Sequence, residues 1–261
     1  MSAGSAEYDD FKLHLHVLGQ DHEIASRAHV GPTRAQELLP LARAISEGVT
    51  AIAVAHEEAE GKRISCAKGC GACCQQLVPV SPLEAARLAE VVEAMPRERR
   101  REIVKRFEKA VKRLEQVGLL DPRRPRGEAA LVSTKTDPKE AWEDASRRYF
   151  EAKIPCPMLE DGACSIYPER PTVCREYLVT TPAERCATLG EGVRTTPRPL
   201  RMHEALTATT NELFGREDVG LPLTLSLEWA AAHRDAFRGE GDGEEMAMAL
   251  VAAIQSADEE A

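Results

Sequence analysis

The stretch "CAKGCGACC", residues 66–74, places four cysteines in nine positions. The chain has eight cysteines in 261 residues. The other four follow at Cys156, Cys164, Cys174 and Cys186, and none precedes residue 66 or follows residue 186. Crowded thiols serve as disulfide staples, metal ligands or redox groups, and the compartment helps to choose among them. The start, "MSAGSAEYDDFKLHLHV", lacks a basic segment followed by an apolar run. No stretch approaches the roughly 20 apolar residues of a membrane span. The expected localisation is therefore cytoplasmic, with no membrane association. There thiols stay reduced, so metal ligation is read before disulfides.

Composition narrows the partners. Charged residues make up 30% of the chain and its net charge is −9, which suits a soluble protein and argues against a general nucleic-acid binder. The exception is the basic run "RERRREIVKRFEKAVKR" (97–113), read as the solvated face of an amphipathic helix. Aromatics are only 4%, so the core must be built from Leu, Val, Ile and Ala.

Outward from the cysteines the pattern is helical. Apolar spacing predicts a helix over 39–61. Ser81, Pro82 and Glu84 form a capping box that opens the next helix. Ile103, Phe107, Val111 and Leu114 make the buried stripe of another, starting at Pro96 and ending at Gly118. Asp137-Pro138-Lys139-Glu140 starts a helix to about residue 150. A short helix containing Cys186 opens at Thr181, and further helices are expected over 200–214, 223–238 and 243–256. Residues 11–18 alternate as a strand, and 77–80 are extended. The expected fold is mostly α, an irregular helical bundle in which two cysteine-rich loops converge on a metal site. The expected divisions are an N-terminal helical extension (1–61), a cysteine-cluster domain (62–190) and C-terminal helices packing on the same core (191–261).

Thiolates prefer soft metals, which points to zinc or an iron–sulfur cluster. Gly69 and Gly71 between the first cysteines let backbone amides turn toward sulfur. Paired C-x2-C knuckles of a zinc ribbon are absent, and seven or eight thiols exceed the four of one zinc ion. Other residues are read more plainly. His14 and His16 share a strand face that is expected to point to solvent, and His56 lies on a helix ten residues before Cys66. Arg170 and Arg175 flank Cys174, where they either offset the negative charge of a thiolate site or pair with Asp161, Glu169 or Glu176.

"CAKGCGACC" followed by "CPMLEDGACSIYPERPTVCREY" resembles the YkgJ-type cysteine-cluster family, a zinc- or iron-chelating domain type. Cys66, Cys70, Cys73, Cys74, Cys156, Cys164 and Cys174 fit its pattern, with Leu159, Gly162, Ile166, Tyr167, Arg170, Pro171 and Arg175. The resemblance spans about residues 62–190 and implies that these seven thiols ligate metal. Cys186 lies outside the tightest part and completes the candidate set of eight. The resemblance does not fix the metal; seven or eight thiols on loosely spaced loops make an iron–sulfur cluster of the [4Fe-4S] type the expected cofactor, with Zn2+ as the alternative. The implied function is a metal-binding protein that presents its site to a protein partner. An iron–sulfur oxidoreductase is the alternative. Flagellin lysine methylases carry a similar cysteine motif, so a protein methyltransferase-like enzyme stands as a further one. No catalytic residues are assigned.

Overall fold

Residues 7–188 and 192–259 are described in the computed structural model. The chain opens with a long antiparallel hairpin, β1 (Glu7–Val17) and β2 (Gln20–Val30), turned at Leu18-Gly19. Its inner face buries Leu13, Leu15, Val17, Ile24 and Ala28. Leu13 stands opposite Ile24, and Lys12 on the outer face bonds Glu23 at 2.8 Å. The N-terminal 61 residues are thus not simply a helical extension. Residues 7–30 form a ribbon, in which β1 alternates and β2, with little alternation of its own, is held by its pairing with β1.

After the short β3 (Pro32–Arg34), which pairs with residues 240–242, comes α1 (Leu38–Ala59). Its buried stripe, including Leu41, Ala42, Ile45, Val49 and Ala53, packs on β2 and on the C-terminal helices. The sequence reading expected no membrane-length apolar segment. The helical stretch Ala35–Ala59 does reach that length and hydropathy. Its alanines and scattered Val and Ile raise the average without making a continuous apolar run. Here its apolar stripe lies in the core.

Next come β4 (Pro79–Val80), α2 (Pro82–Glu93), α3 (Arg97–Gln116) and α4 (Pro138–Glu151). The Ser81–Glu84 capping box forms as expected, and Asp137 caps α4 through the Glu140 N–H at 2.9 Å. Ile103, Phe107, Val111 and Leu114 are all buried. The second cysteine segment holds the small hairpin β5 (Leu159–Glu160) and β6 (Ala163–Cys164), then the single turn α5 (Val173–Glu176). The chain finishes with α6 (Met202–Phe214), β7 (Leu221–Pro222), α7 (Ser226–Ala232), β8 (Glu240–Asp242) and α8 (Gly243–Glu259). The expected helix over 223–238 is cut to seven residues in α7, preceded by a 3-10 turn at Leu223–Leu225. β7 pairs with β4 and β8 with β3.

Eight α-helices therefore dominate the described residues, joined by four two-stranded ribbons. One connected apolar core runs from Leu13 to Ile254, with Leu83, Tyr149, Met202 and Leu206 at its centre. The cysteines sit at its edge.

Candidate metal centre

Two stretches of chain, separated by α2, α3 and α4, meet around the thiols. At the first, Ser65 N donates to Val179 O at 2.9 Å, and Val179 N donates back to Cys66 Sγ at 3.4 Å. Cys73 and Cys74 lie on a 3-10 turn, Ala72–Gln75, which packs on a second 3-10 turn, Ala183–Ala187, carrying Cys186. Gln76 Nε2 bonds Cys186 O at 3.4 Å. Cys156 N donates to Cys74 O at 2.7 Å, which ties the second segment directly to the vicinal pair.

Two glycines make this approach feasible. A Cβ on residue 71 would collide with Gly162 O and Leu159 Cδ1, so the first loop lies flat on the β5–β6 hairpin only because Gly71 has no side chain. That hairpin turns on Asp161 (φ 47) and Gly162 (φ 78). Two consecutive positive φ values are what a tight two-residue hairpin turn needs, and Asp-Gly supplies them at low cost. The turn sets Leu159 opposite Cys164. Arg99 and Arg106 on α3 grip Glu160 from outside, Arg106 at 2.8 Å. The basic face of α3 is thus partly a clamp on the cysteine hairpin.

Cys174 is fixed by a different device. Glu84 is 4% exposed, and its Oε1 accepts from the backbone N–H and the hydroxyl of Thr172, at 2.8 and 2.9 Å. Its Oε2 accepts from Ser81 N and Oγ. The sequence identified Glu84 only as a helix cap. Nothing in the local pattern signals its second role, since Thr172 is 88 residues away.

All eight cysteines are free thiols. Cys186 is buried, Cys70 is exposed and the other six are half-buried. Burial pushes Cys156 up to about 12, Cys186 up to about 11 and Cys174 well above the ordinary thiol range. Burial likewise raises Cys66 and Cys164. The hydrogen bond between the vicinal thiols draws Cys73 down to about 7 and pushes Cys74 up. Neighbouring thiols add to the cost of ionising one another, and Cys73 acts on thiols of both segments. Cys186 feels Cys73, Cys66 and Cys70, whereas Cys174 feels Cys156, Cys73 and Cys164, and Cys74 feels Cys156, Cys73 and Cys174. Thiols gathered this closely resist charging by themselves. A bound cation reverses that, since a coordinating thiol is deprotonated outright. Soft donors from two segments, an N–H aimed at sulfur and no disulfide fit a zinc or iron site.

The histidines stay outside this centre. His14 and His16 are exposed on β1 and approach Glu23 and Asp21 at 3.6 and 2.9 Å. His56 groups with Glu57 and Glu60, where the Lys62 ammonium bridges the two carboxylates at 3.0 and 2.7 Å. That cation already does what a metal would do there.

Thiols from the two segments thus converge at the edge of the core. Residues 65–188 match the family model CxxCxxCC, whose description is "Putative zinc- or iron-chelating domain". The match bears out the resemblance read from the sequence, and it includes all eight cysteines, Cys186 among them. Among curated proteins and among solved structures, none matches the chain significantly.

Proposed function

We propose that this protein chelates zinc or iron through thiolates of all eight cysteines, arranged as two adjacent quartets. The first is Cys66, Cys70, Cys73 and Cys186, and the second is Cys74, Cys156, Cys164 and Cys174. The observation that carries this is the position of the vicinal pair between the two segments: its thiols are hydrogen-bonded to each other, the 3-10 turn that carries them packs on the turn of Cys186, and Cys74 O accepts from Cys156 N at 2.7 Å. Four thiolates suit either a tetrahedral zinc ion or an iron–sulfur cluster. The cytoplasm fits this reading, because eight ligating thiols need a reducing compartment. With its thiols gathered at one edge of the helical core, the protein can present its metal to a partner protein.

The test is purification without oxygen, elemental analysis and eight single Cys→Ser variants. We expect two metal sites per chain if zinc is bound, with each quartet losing its metal independently when any member is replaced. Brown colour with acid-labile sulfide would identify iron–sulfur, and a reversible redox wave would then favour an oxidoreductase. Retention of full metal content in Cys74→Ser and Cys186→Ser would reject the two-quartet arrangement in favour of a single shared site. Metal content of zero in the intact protein would reject chelation itself.

A further inference from the structure

An open cleft of about 450 Å3 runs along α1. The helix lines it from Glu47 to Glu58, roughly 16 Å at 1.5 Å rise per residue. Arg170, Arg175 and Leu178 form the facing wall, and no cysteine lines the cleft. Leu178 precedes Val179, whose N–H reaches Cys66 Sγ at 3.4 Å. The cleft therefore adjoins the thiols without sharing them.

The two arginines of that wall are employed differently. Arg175 is spent, since it pairs with Glu47 and donates to the carbonyls of Pro168 and Arg170. Arg170 is half-buried, and its side-chain N–H groups have no hydrogen-bond or carboxylate partner among the described residues. The acids closest to it are taken. Glu169, its neighbour in the chain, binds Arg43 and Arg87 at 3.0 and 3.3 Å, and Glu47 belongs to Arg175. What holds the Arg170 guanidinium is the Tyr167 ring, 4.2 Å from the centroid. Lys68 faces the same ring at 5.7 Å, so two cations meet at this corner of the molecule.

A stacked guanidinium with free donors matches the planar fork of a carboxylate. The rest of the lining narrows the ligand further. Ala51, Val54, Ala55 and Leu178 make an apolar wall, and Thr50 adds a hydroxyl without a partner among the described residues. Clefts of roughly 300–1,000 Å3 with an apolar lining and a few placed polar groups suit small organic ligands. Glu58, unpaired among the described residues, disfavours a second negative charge on the ligand.

We propose that this cleft binds a small organic monoanion, a carboxylate with a short apolar body, its head on Arg170 and Thr50 and its body on Ala51, Val54, Ala55 and Leu178. The site goes beyond the chelation reading and does not depend on it, because no sulfur takes part.

The test is calorimetric titration of the full-length protein as purified, with hexanoate, acetate, hexylammonium and inorganic phosphate as probes. Hexanoate should saturate at one site per chain. It carries four more CH2 groups than acetate, and burying half of them corresponds to about tenfold tighter binding. Phosphate should bind more weakly than hexanoate, and hexylammonium should not bind. Arg170→Met should weaken hexanoate by about 10–100-fold, the effect of losing hydrogen bonds to a charged group. Ala51→Asp puts a negative charge on an exposed position of α1 and should weaken hexanoate as well, so it decides the matter if Arg170→Met does not fold. No saturable hexanoate binding would overturn the proposal, as would unchanged affinity in a folded variant of either kind. Hexylammonium binding as tightly as hexanoate would overturn it in favour of a mere apolar surface. Phosphate or acetate binding as tightly as hexanoate would overturn it in favour of a bare anion contact.

Discussion

Glu84 and Thr172 are joined by two hydrogen bonds through one carboxylate oxygen, 2.8 Å to the backbone N–H and 2.9 Å to the hydroxyl. The same carboxylate closes the cap of α2 on Ser81. One side chain therefore starts a helix and holds the turn that carries Cys174, so that the core and the cysteine segment are fastened at one atom group.

Replacing Glu84 by Ala should be costly for that reason. It strands the buried N–H and hydroxyl of Thr172 and removes the capping box. An unsatisfied buried donor costs about 1–3 kcal/mol and a lost cap about 1 kcal/mol. We expect the unfolding free energy to fall by about 2–4 kcal/mol, the sum of those two ranges, with amide exchange accelerating first at residues 171–176. Thr172→Ala removes only the hydroxyl and should cost less. Equal effects from both variants would place the stabilisation elsewhere.

Gly71→Ala tests the seam between the two cysteine segments. The new methyl meets Gly162 O and Leu159 Cδ1, so the loop must lift off the β5–β6 hairpin. Overpacking of this kind costs about 1–3 kcal/mol. Lifting the loop also separates Cys70 and Cys73 from Cys164, so metal content should drop alongside stability. Full metal content in this variant would show that the seam is not needed for chelation.

The helix signals were the most legible part of the chain, because caps and apolar stripes act within a few residues. Ser81, Asp137 and the Ile103–Leu114 stripe could be read directly. β2 was not legible. In "QDHEIASRAHV" only Ile24 and Ala28 are fully buried, and the strand exists because β1 lies beside it. The paired segments β3–β8 and β4–β7 are two or three residues long and have no pattern of their own. α7 stops at Ala232, short of the apolar spacing that continues to Phe237, which stacks back on Trp229 instead. At the site, the cysteines were legible as a set, but their partners were not. Glu84 to Thr172, Gln76 to Cys186 and Val179 to Cys66 are contacts across 88 to 113 residues. No local periodicity encodes them.

Glu176 should make stability depend on pH. Burial raises its carboxyl from the ordinary 4.5 to about 7, although Oε1 accepts from Ser46 at 2.8 Å and Met202 N at 3.3 Å. Oε2 is buried without a partner. Between pH 4.5 and 7 the folded protein keeps a proton that the unfolded chain releases, so this group's contribution falls as pH rises through that window and is level above it. The penalty above pH 7 is on the order of 3 kcal/mol. Glu176→Gln cannot ionise. It should match the wild type near pH 4.5 and exceed it in stability at pH 8, measured by denaturant unfolding at both values. A stability difference that does not change with pH would remove Glu176 as the cause.

Metal removal should loosen the molecule unevenly. Structural zinc contributes about 10–16 kcal/mol in small domains that have no other core. This chain has one, running from Leu13 to Ile254 largely apart from the thiols, so the apoprotein should remain folded. What it loses is the link between the two cysteine segments, which then hold together through a few contacts such as Cys156 N to Cys74 O and Ser65 N to Val179 O. Most of the thiols left behind are half-buried, burial keeps Cys66, Cys156, Cys164, Cys174 and Cys186 protonated, and they attract one another only weakly. Hydrogen exchange after chelation should therefore rise over residues 62–80 and 153–188, while α1, α3, α6 and α8 keep most of their protection. Cys70, the one exposed thiol of the set, should become reactive to alkylation first, and the buried Cys186 last. Uniform acceleration along the chain would mean that the metal supports the whole fold, and no change at all would mean that it bridges nothing.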